Sequence, residues 1–171
     1  MINVVPVADP PTSADNTVKT DEEISYTFLP GDFGFADQDA GDALVTVRID
    51  TLPADGQLLV NGNPATAGQI VSLTDINNGN LIFVPDPDEN GNGYATFDFS
   101  VSDGILFQTT PNTMTIDVCP VQDPPVATDN AIIVNEDSIA NPLGLATPTD
   151  IDGDTLTATV TGLPTLSLIH I

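Results

Sequence analysis

Apolar residues in this chain alternate with polar ones in short runs, and Pro, Gly and Asn punctuate the runs. A period of two residues is that of a half-buried β-strand. Asn16 to Thr20 forms a first short candidate strand. Ile24, Tyr26 and Phe28 alternate next, until Pro30-Gly31 stops them. Val45, Val47 and Ile49 follow, with Arg48 facing out. Leu52-Pro53-Ala54-Asp55-Gly56 reads as a turn, Gln57 to Val60 as a short strand, and Asn61-Gly62-Asn63-Pro64 as a second turn. Asn78-Gly79 precedes a strand at Leu81 to Val84. The clearest alternation is Ala95, Phe97, Phe99 and Val101, with Thr96, Asp98, Ser100 and Ser102 outward. Met114, Ile116 and Val118 supply a closing strand. No stretch carries helical periodicity. Short strands with frequent turn signals predict an all-β fold, an antiparallel β-sandwich.

The pattern repeats. Pro6-Val7-Ala8-Asp9-Pro10-Pro11 returns as Pro120-Val121-Gln122-Asp123-Pro124-Pro125, at an offset of 114 residues. The same offset aligns Ile2-Asn3-Val4-Val5 with Ile116-Asp117-Val118-Cys119, Ala14-Asp15-Asn16 with Thr128-Asp129-Asn130, and Asp21-Glu22-Glu23 with Asn135-Glu136-Asp137. A fixed period with a Pro-rich joint is the signature of a tandem array. Residues 1–8 read as the last strand of a preceding repeat, 9–122 as one complete repeat, and 123–165 as the truncated start of the next. That second copy has candidate strands at Ile132 to Val134 and Leu156 to Val160, and no counterpart of the two long closing strands. A partial sandwich buries little surface, so loose packing with exposed edges is expected. Residues 166–171, Leu-Ser-Leu-Ile-His-Ile, break the Thr-rich texture before them. They back-translate to the mosaic end of a transposase-type sequencing adapter and are read as a non-native read-through tail.

Composition narrows the function. The 171 residues carry 25 acids against only Lys19 and Arg48, a net charge of −23. Such a chain repels nucleic acid and anionic membrane surfaces. Forty per cent hydrophobic residues is enough for a core despite that charge. No apolar run reaches transmembrane length, so no membrane insertion is expected. Met1 opens a strand-like Ile-Asn-Val-Val rather than a basic leader, so the chain is read as beginning inside a longer protein. The single Cys119 takes the place of Val5 in the repeat and reads as a small core residue.

Several motifs recur in order. Glu136-Asp137 lies near the start of a repeat, Asp150 to Leu156 reads Asp-x-Asp-Gly-Asp-x-Leu, Phe99 to Gly104 reads Phe-x-Val-Ser-Asp-Gly, and Val118 to Pro125 reads Val-x-Pro-Val-x-Asp-Pro-Pro. Together these resemble the cadherin-like tandem repeats of large bacterial surface and secreted adhesins, an Ig-like β-sandwich family, over nearly all of residues 1–165. The resemblance implies an extracellular spacer that supports cell adhesion. It also implies Ca²⁺ at the repeat junctions, adjacent repeats of the same chain as partners, and a cell-surface protein or glycan as the distal partner. Carried over by position, one junction takes Asp9, Asp37, Asp39 and Asp103. The next takes Glu22 or Glu23, Asp123, Asp150 and Asp152. The chemistry agrees, because calcium takes about six to eight hard oxygens. Residues i and i+2 of an extended segment point the same way, so Asp37 and Asp39 are expected to converge on one ion. A solvated acidic loop is the other reading of that pair.

Asp86-Pro87-Asp88-Glu89-Asn90-Gly91 matches the first half of an EF-hand loop. Its twelfth position is Phe97 and a strand follows, so an intact EF-hand is excluded. A local calcium loop through Asp86, Asp88 and Asn90 and an ordinary solvated turn both stand. No Ser/His/Asp set, phosphate-binding Gly loop or zinc cluster is present, so no enzyme activity is expected. The alternative function is a carbohydrate- or protein-binding sandwich module appended to a secreted enzyme.

Overall fold

The computed structural model describes residues 7–129 and 146–159. The chain divides into two compact units, Met1–Val121 and Gln122–Ile171.

In the first unit the alternating runs become nine strands in two sheets: β1 (Asn16–Asp21), β2 (Tyr26–Thr27), β3 (Thr46–Ile49), β4 (Gln57–Val60), β5 (Asn63–Pro64), β6 (Ile70–Ser72), β7 (Leu81–Val84), β8 (Gly91–Ser102) and β9 (Asn112–Cys119). One sheet has the order β1-β9-β8-β3-β6 and the other β2-β7-β4-β5. The β4–β5 hairpin closes on Asn61-Gly62, with φ of 52° and 74°. Two positive values are what a tight turn needs to match strand twist, hence the Asn-Gly pair.

Both sheets turn their apolar faces into one core. Phe97 and Phe99 of β8 enter it from one side, Leu58, Leu81 and Phe83 from the other, and all five are buried. Phe28, just past β2, meets Phe97 edge to face at 5.6 Å between ring centroids and so ties the sheets together. Phe33, at the end of a 3₁₀ turn (Pro30–Phe33), packs edge to face on Phe99 at 5.1 Å. Such aromatic pairs add about 0.5–1.5 kcal/mol each beyond area burial.

The sandwich is mixed rather than wholly antiparallel, because β1 runs parallel to β9, from Asn16↔Met114 to Asp21↔Cys119. The consequence is directional. The chain enters beside the start of this strand pair and leaves beside its end, so entry and exit lie at opposite ends of the unit.

Other expectations are corrected. Ile24 is exposed, because it sits in the turn closed by its N–H on the Asp21 carbonyl. Cys119 is half-buried rather than core, since the alternation of β9 gives the core position to Val118. Ser100 and Ser102 are buried although they lie on the outer face of β8. The segment after β8 folds back over them, with Gln108 N–H donating to the Val101 carbonyl and Phe107 bridging to Ser102. Arg48 caps the patch, its guanidinium 4.7 Å from the Phe107 ring centroid and donating to Ser100 Oγ. Buried hydroxyls are tolerated because they are bonded. A short helix, α1 (Leu73–Asn77), stands where no helix was expected. Ser72 caps it by accepting from the Asp75 N–H, and Ile76 plugs the core.

In the second unit Val126 and Thr149 form an antiparallel bridge. Thr12 and Ala36 form the matching bridge in the first unit. Residues 156–159 carry no strand. In the first unit the strand that follows the corresponding acidic loop, β3, is held between β6 and β8. The expected strands at residues 2–5 and 132–134, and the tail 166–171, lie outside the described residues.

Candidate metal centre

The entry end of the first unit gathers three segments: the linker at Asp9, the loop from Asp37 to Asp42, and the residue after β8, Asp103. The Thr12–Ala36 bridge fixes where the loop begins. Beyond it the backbone bends and turns instead of staying extended. Asp39 N–H folds back on Asp37 Oδ1 at 2.7 Å, and Asp42 N–H closes on the Asp39 carbonyl at 3.3 Å. The two-residue alternation therefore does not aim Asp37 and Asp39 together. The residue that returns to Asp37 is Asp42.

One carboxylate oxygen from each of Asp37, Asp42 and Asp103 lies within 4.8 Å of the other two. Asp103 Oδ1 accepts from the N–H groups of Ile105 and Leu106, both at 2.7 Å. These bonds, Leu106 first, hold its carboxyl below the usual range. Asp42 is held above that range, by partial desolvation first and then by the charges of Asp37, Asp39 and Asp103. Asp37 Oδ2 and Asp103 Oδ2 are shut off from solvent and have no hydrogen-bond partner. A buried carboxylate oxygen without a donor is costly.

Among the described residues, neither Lys nor Arg is paired with these carboxylates. Of the two basic residues, Lys19 pairs with Asp117 at 3.0 Å and Arg48 pairs with Asp50. The donor set is all carboxylate, the chemistry of a hard cation. Two oxygens that share a calcium ion at about 2.3–2.6 Å sit no more than about 5 Å apart, so the observed spacing fits one ion.

Asp39 turns to the linker instead, accepting the Asp9 N–H on Oδ2 at 2.7 Å. The second unit repeats this bond: Asp123 N–H donates to Asp152 Oδ2 at 2.7 Å. There Asp150 Oδ1 accepts from Asp154 N–H at 3.3 Å, and Gln122 Nε2 donates to Asp152 and Asp154.

At the exit end of the first unit, Glu22 is buried with 2% of its surface exposed. Its Oε1 accepts from Val121 N–H and its Oε2 from Asn90 Nδ2 at 3.0 Å. Glu22 and Asn90, assigned to separate sites from sequence, are thus direct partners. Glu23 is exposed in the turn after β1 with φ of 64°. Asp86 Oδ2 accepts from Gly56 N–H at 2.9 Å. The Tyr94 hydroxyl donates to Glu89 Oε2 at 2.9 Å, and burial first, then this bond, push it up to about 12. Asp88 is exposed with φ of 59°. The loop from Asp86 to Asn90 is thus held by protein donors as the turn between β7 and β8.

Asp42 is the residue that sequence reasoning missed. A signal existed in the third Asp that follows each Asp-x-Asp, Asp42 in one copy and Asp154 in the other.

A family model described as cadherin-like matches residues 10–118. No curated protein matches the chain.

Proposed function

Because the chain belongs to the cadherin-like family, we propose that its repeat is an extracellular spacer module of a bacterial surface or secreted adhesin, stiffened by calcium. The observation that carries the calcium part is the entry-end cup, where two buried carboxylate oxygens lack a donor and, among the described residues, both Lys and Arg are paired elsewhere. Asp37, Asp42 and Asp103 would hold the ion there, which would supply positive charge and cross-link the loop to the end of β8. The linker enters at one end of the unit and leaves at the other, as head-to-tail stacking requires. The bridge and the linker bond that recur in both units support the tandem-repeat reading. The domain division at the Pro-rich joint, with a repeat over 9–122 and the start of another from 123, belongs to the same proposal.

The proposal gives the module no catalytic role and makes adjacent repeats its partners. A sugar-binding alternative needs exposed aromatic platforms. Phe28, Phe33, Phe83, Phe97 and Phe99 are all fully buried. Among the described residues no helix is long and apolar enough to cross a membrane.

Thermal unfolding of the full chain in 10 mM calcium and in chelator tests the reading. Extracellular modules bind calcium with dissociation constants of about 0.1–1 mM. At 10 mM one site adds roughly 1.4 to 2.7 kcal/mol across that range, a rise in Tm of about 5–10 °C for a unit of this size. An unchanged Tm at saturating calcium would leave an acidic spacer stiffened by proline and packing alone.

A further inference from the structure

We infer that the tip of the β4–β5 hairpin is a self-modification site, where Asn61 deamidates through attack by the Gly62 backbone nitrogen. Neither residue takes part in the calcium reading. The chain carries four Asn-Gly pairs: Asn61-Gly62, Asn78-Gly79, Asn90-Gly91 and Asn92-Gly93. All four share one intrinsic chemistry, because glycine puts no side chain in the way of its own nitrogen. The fold sets them apart.

In the reaction the Gly nitrogen gives its proton to water or hydroxide and bonds to Asn Cγ. The Cγ–Nδ2 bond breaks, and the amide nitrogen takes a proton from solvent and leaves as ammonia. Water then opens the succinimide at one of its two carbonyls, giving Asp or isoAsp. The Gly nitrogen must therefore be free to lose its proton, and the Asn side chain free to turn. Three of the pairs are hindered. Gly93 N–H donates to Asp117 Oδ1 at 2.7 Å, and a carboxylate there opposes the negative charge of a deprotonated nitrogen. Gly79 N–H donates to the Ile76 carbonyl at 3.0 Å. Asn90 Nδ2 is held by the buried Glu22 at 3.0 Å, and Gly91 is paired with Val118. Gly62 N–H, in contrast, has no hydrogen-bond partner among the described residues. Asn61 and Gly62 are exposed, and nothing lies within 4 Å of where a Cβ on Gly62 would stand. β5 is a two-residue strand at a sheet edge, so the tip can open without disturbing the core.

The product changes its surroundings. Asp75 accepts from the Ser72 hydroxyl and from Asn80 Nδ2, and the Asn61 amide adds a weaker bond. Asp or isoAsp at position 61 removes that donor and sets a second carboxylate beside Asp75. IsoAsp also lengthens the main chain of a two-residue turn by one methylene. Modification therefore loosens the hairpin and the Asp75 cluster behind it.

The test is ageing of the full chain at pH 8, with deamidation at each pair read by mass spectrometry of proteolytic fragments. In the folded chain Asn61 is expected to react at least about tenfold faster than Asn78, Asn90 or Asn92, the factor that breaking one hydrogen bond imposes. In 8 M urea, where no bond distinguishes them, the four are expected to react within about threefold of one another. Asp117→Ala releases the Gly93 N–H and is expected to speed Asn92 about tenfold, while Asn61 keeps its wild-type rate and so reports that the hairpin is intact. An Asn61 no faster than the other three in the folded chain, or the same ranking in urea, would overturn the inference. An Asn92 rate unchanged by Asp117→Ala would overturn the bonded-nitrogen argument on which it stands.

Discussion

Gly56 is the position where a single methyl group does the most damage for its size. Its φ is +67°, and a Cβ there would lie 2.5 Å from Phe83 Cζ, 2.8 Å from the Val84 carbonyl oxygen and 2.9 Å from Phe83 Cε2. Neither neighbour can yield. Phe83 is fully buried and packs edge to face on Tyr94, and Val84 is paired with Gln57 in the sheet. The left-handed backbone costs a non-glycine residue about 1–2 kcal/mol, and overpacking adds about 1–3 kcal/mol. Gly56→Ala is therefore expected to destabilise the unit by about 2–5 kcal/mol. Gly62→Ala separates the two costs, since its φ is +74° but nothing lies within 4 Å of the new Cβ. It should lose only about 1–2 kcal/mol. Gly31→Ala, with open space and no left-handed φ, should stay within about 0.5 kcal/mol of wild type. Urea unfolding followed by tyrosine fluorescence reads the first unit alone, because Tyr26 and Tyr94 are the only tyrosines and the chain has no Trp. Equal midpoints for Gly56→Ala and Gly62→Ala would refute the close approach of Phe83 and the turn geometry built on it.

Two further outcomes are expected of the same unit. Ser72→Ala removes the cap of α1 and should cost about 1 kcal/mol, while Ser72→Thr should restore most of it; a neutral Ser72→Ala would mean that Ile76 alone holds the helix. Acid should also weaken the unit. Asp15 is held below the usual carboxylate range by the Thr113 N–H and then Asn112, Asp75 by the Ser72 hydroxyl and then Asn80, and Asp117 by the Gly93 N–H and then Lys19. A folded pKa below the unfolded one gives stability that is complete above about pH 4 and is lost as pH falls through the folded value. Asp42, held up, works in the opposite sense. The urea midpoint should therefore fall between pH 4.5 and pH 2.5, and less steeply in Asp117→Asn; a midpoint flat across this range would contradict these assignments.

The strands were legible because each faces the core on one side, and burial on one side imposes a period of two. Phe97, Phe99 and Val101 could be assigned inward for that reason, and they are buried. The alternation says nothing about what covers the other side. Ser100 and Ser102 looked solvent-facing, and only the return of residues 103–109 over β8 buries them. Direction is equally silent in a pattern, so the parallel pairing of β1 with β9 was unreadable. At five residues, α1 is too short for a helical period to register, although Ser72 and Asp75 carry the spacing of a capping box.

The candidate site was half legible for a related reason. Asp9, Asp37, Asp39 and Asp103 were gathered at one end by the resemblance to cadherin-like repeats; in the structure Asp39 bonds Asp9 and Asp37 lies beside Asp103. Which carboxylates share a point in space depends on backbone conformation over a few residues, and the two-residue rule holds only while the chain stays extended. After Ala36 it does not: Asp39 N–H bonds back to Asp37 Oδ1 and turns the loop. The turn puts the residue five positions after Asp37, not two, beside it. The same turn gives the loop two working faces, one toward Asp103 and one toward Asp9. A strictly extended Asp-x-Asp would have had only one face, and any ion bound there would have competed with the linker for Asp39.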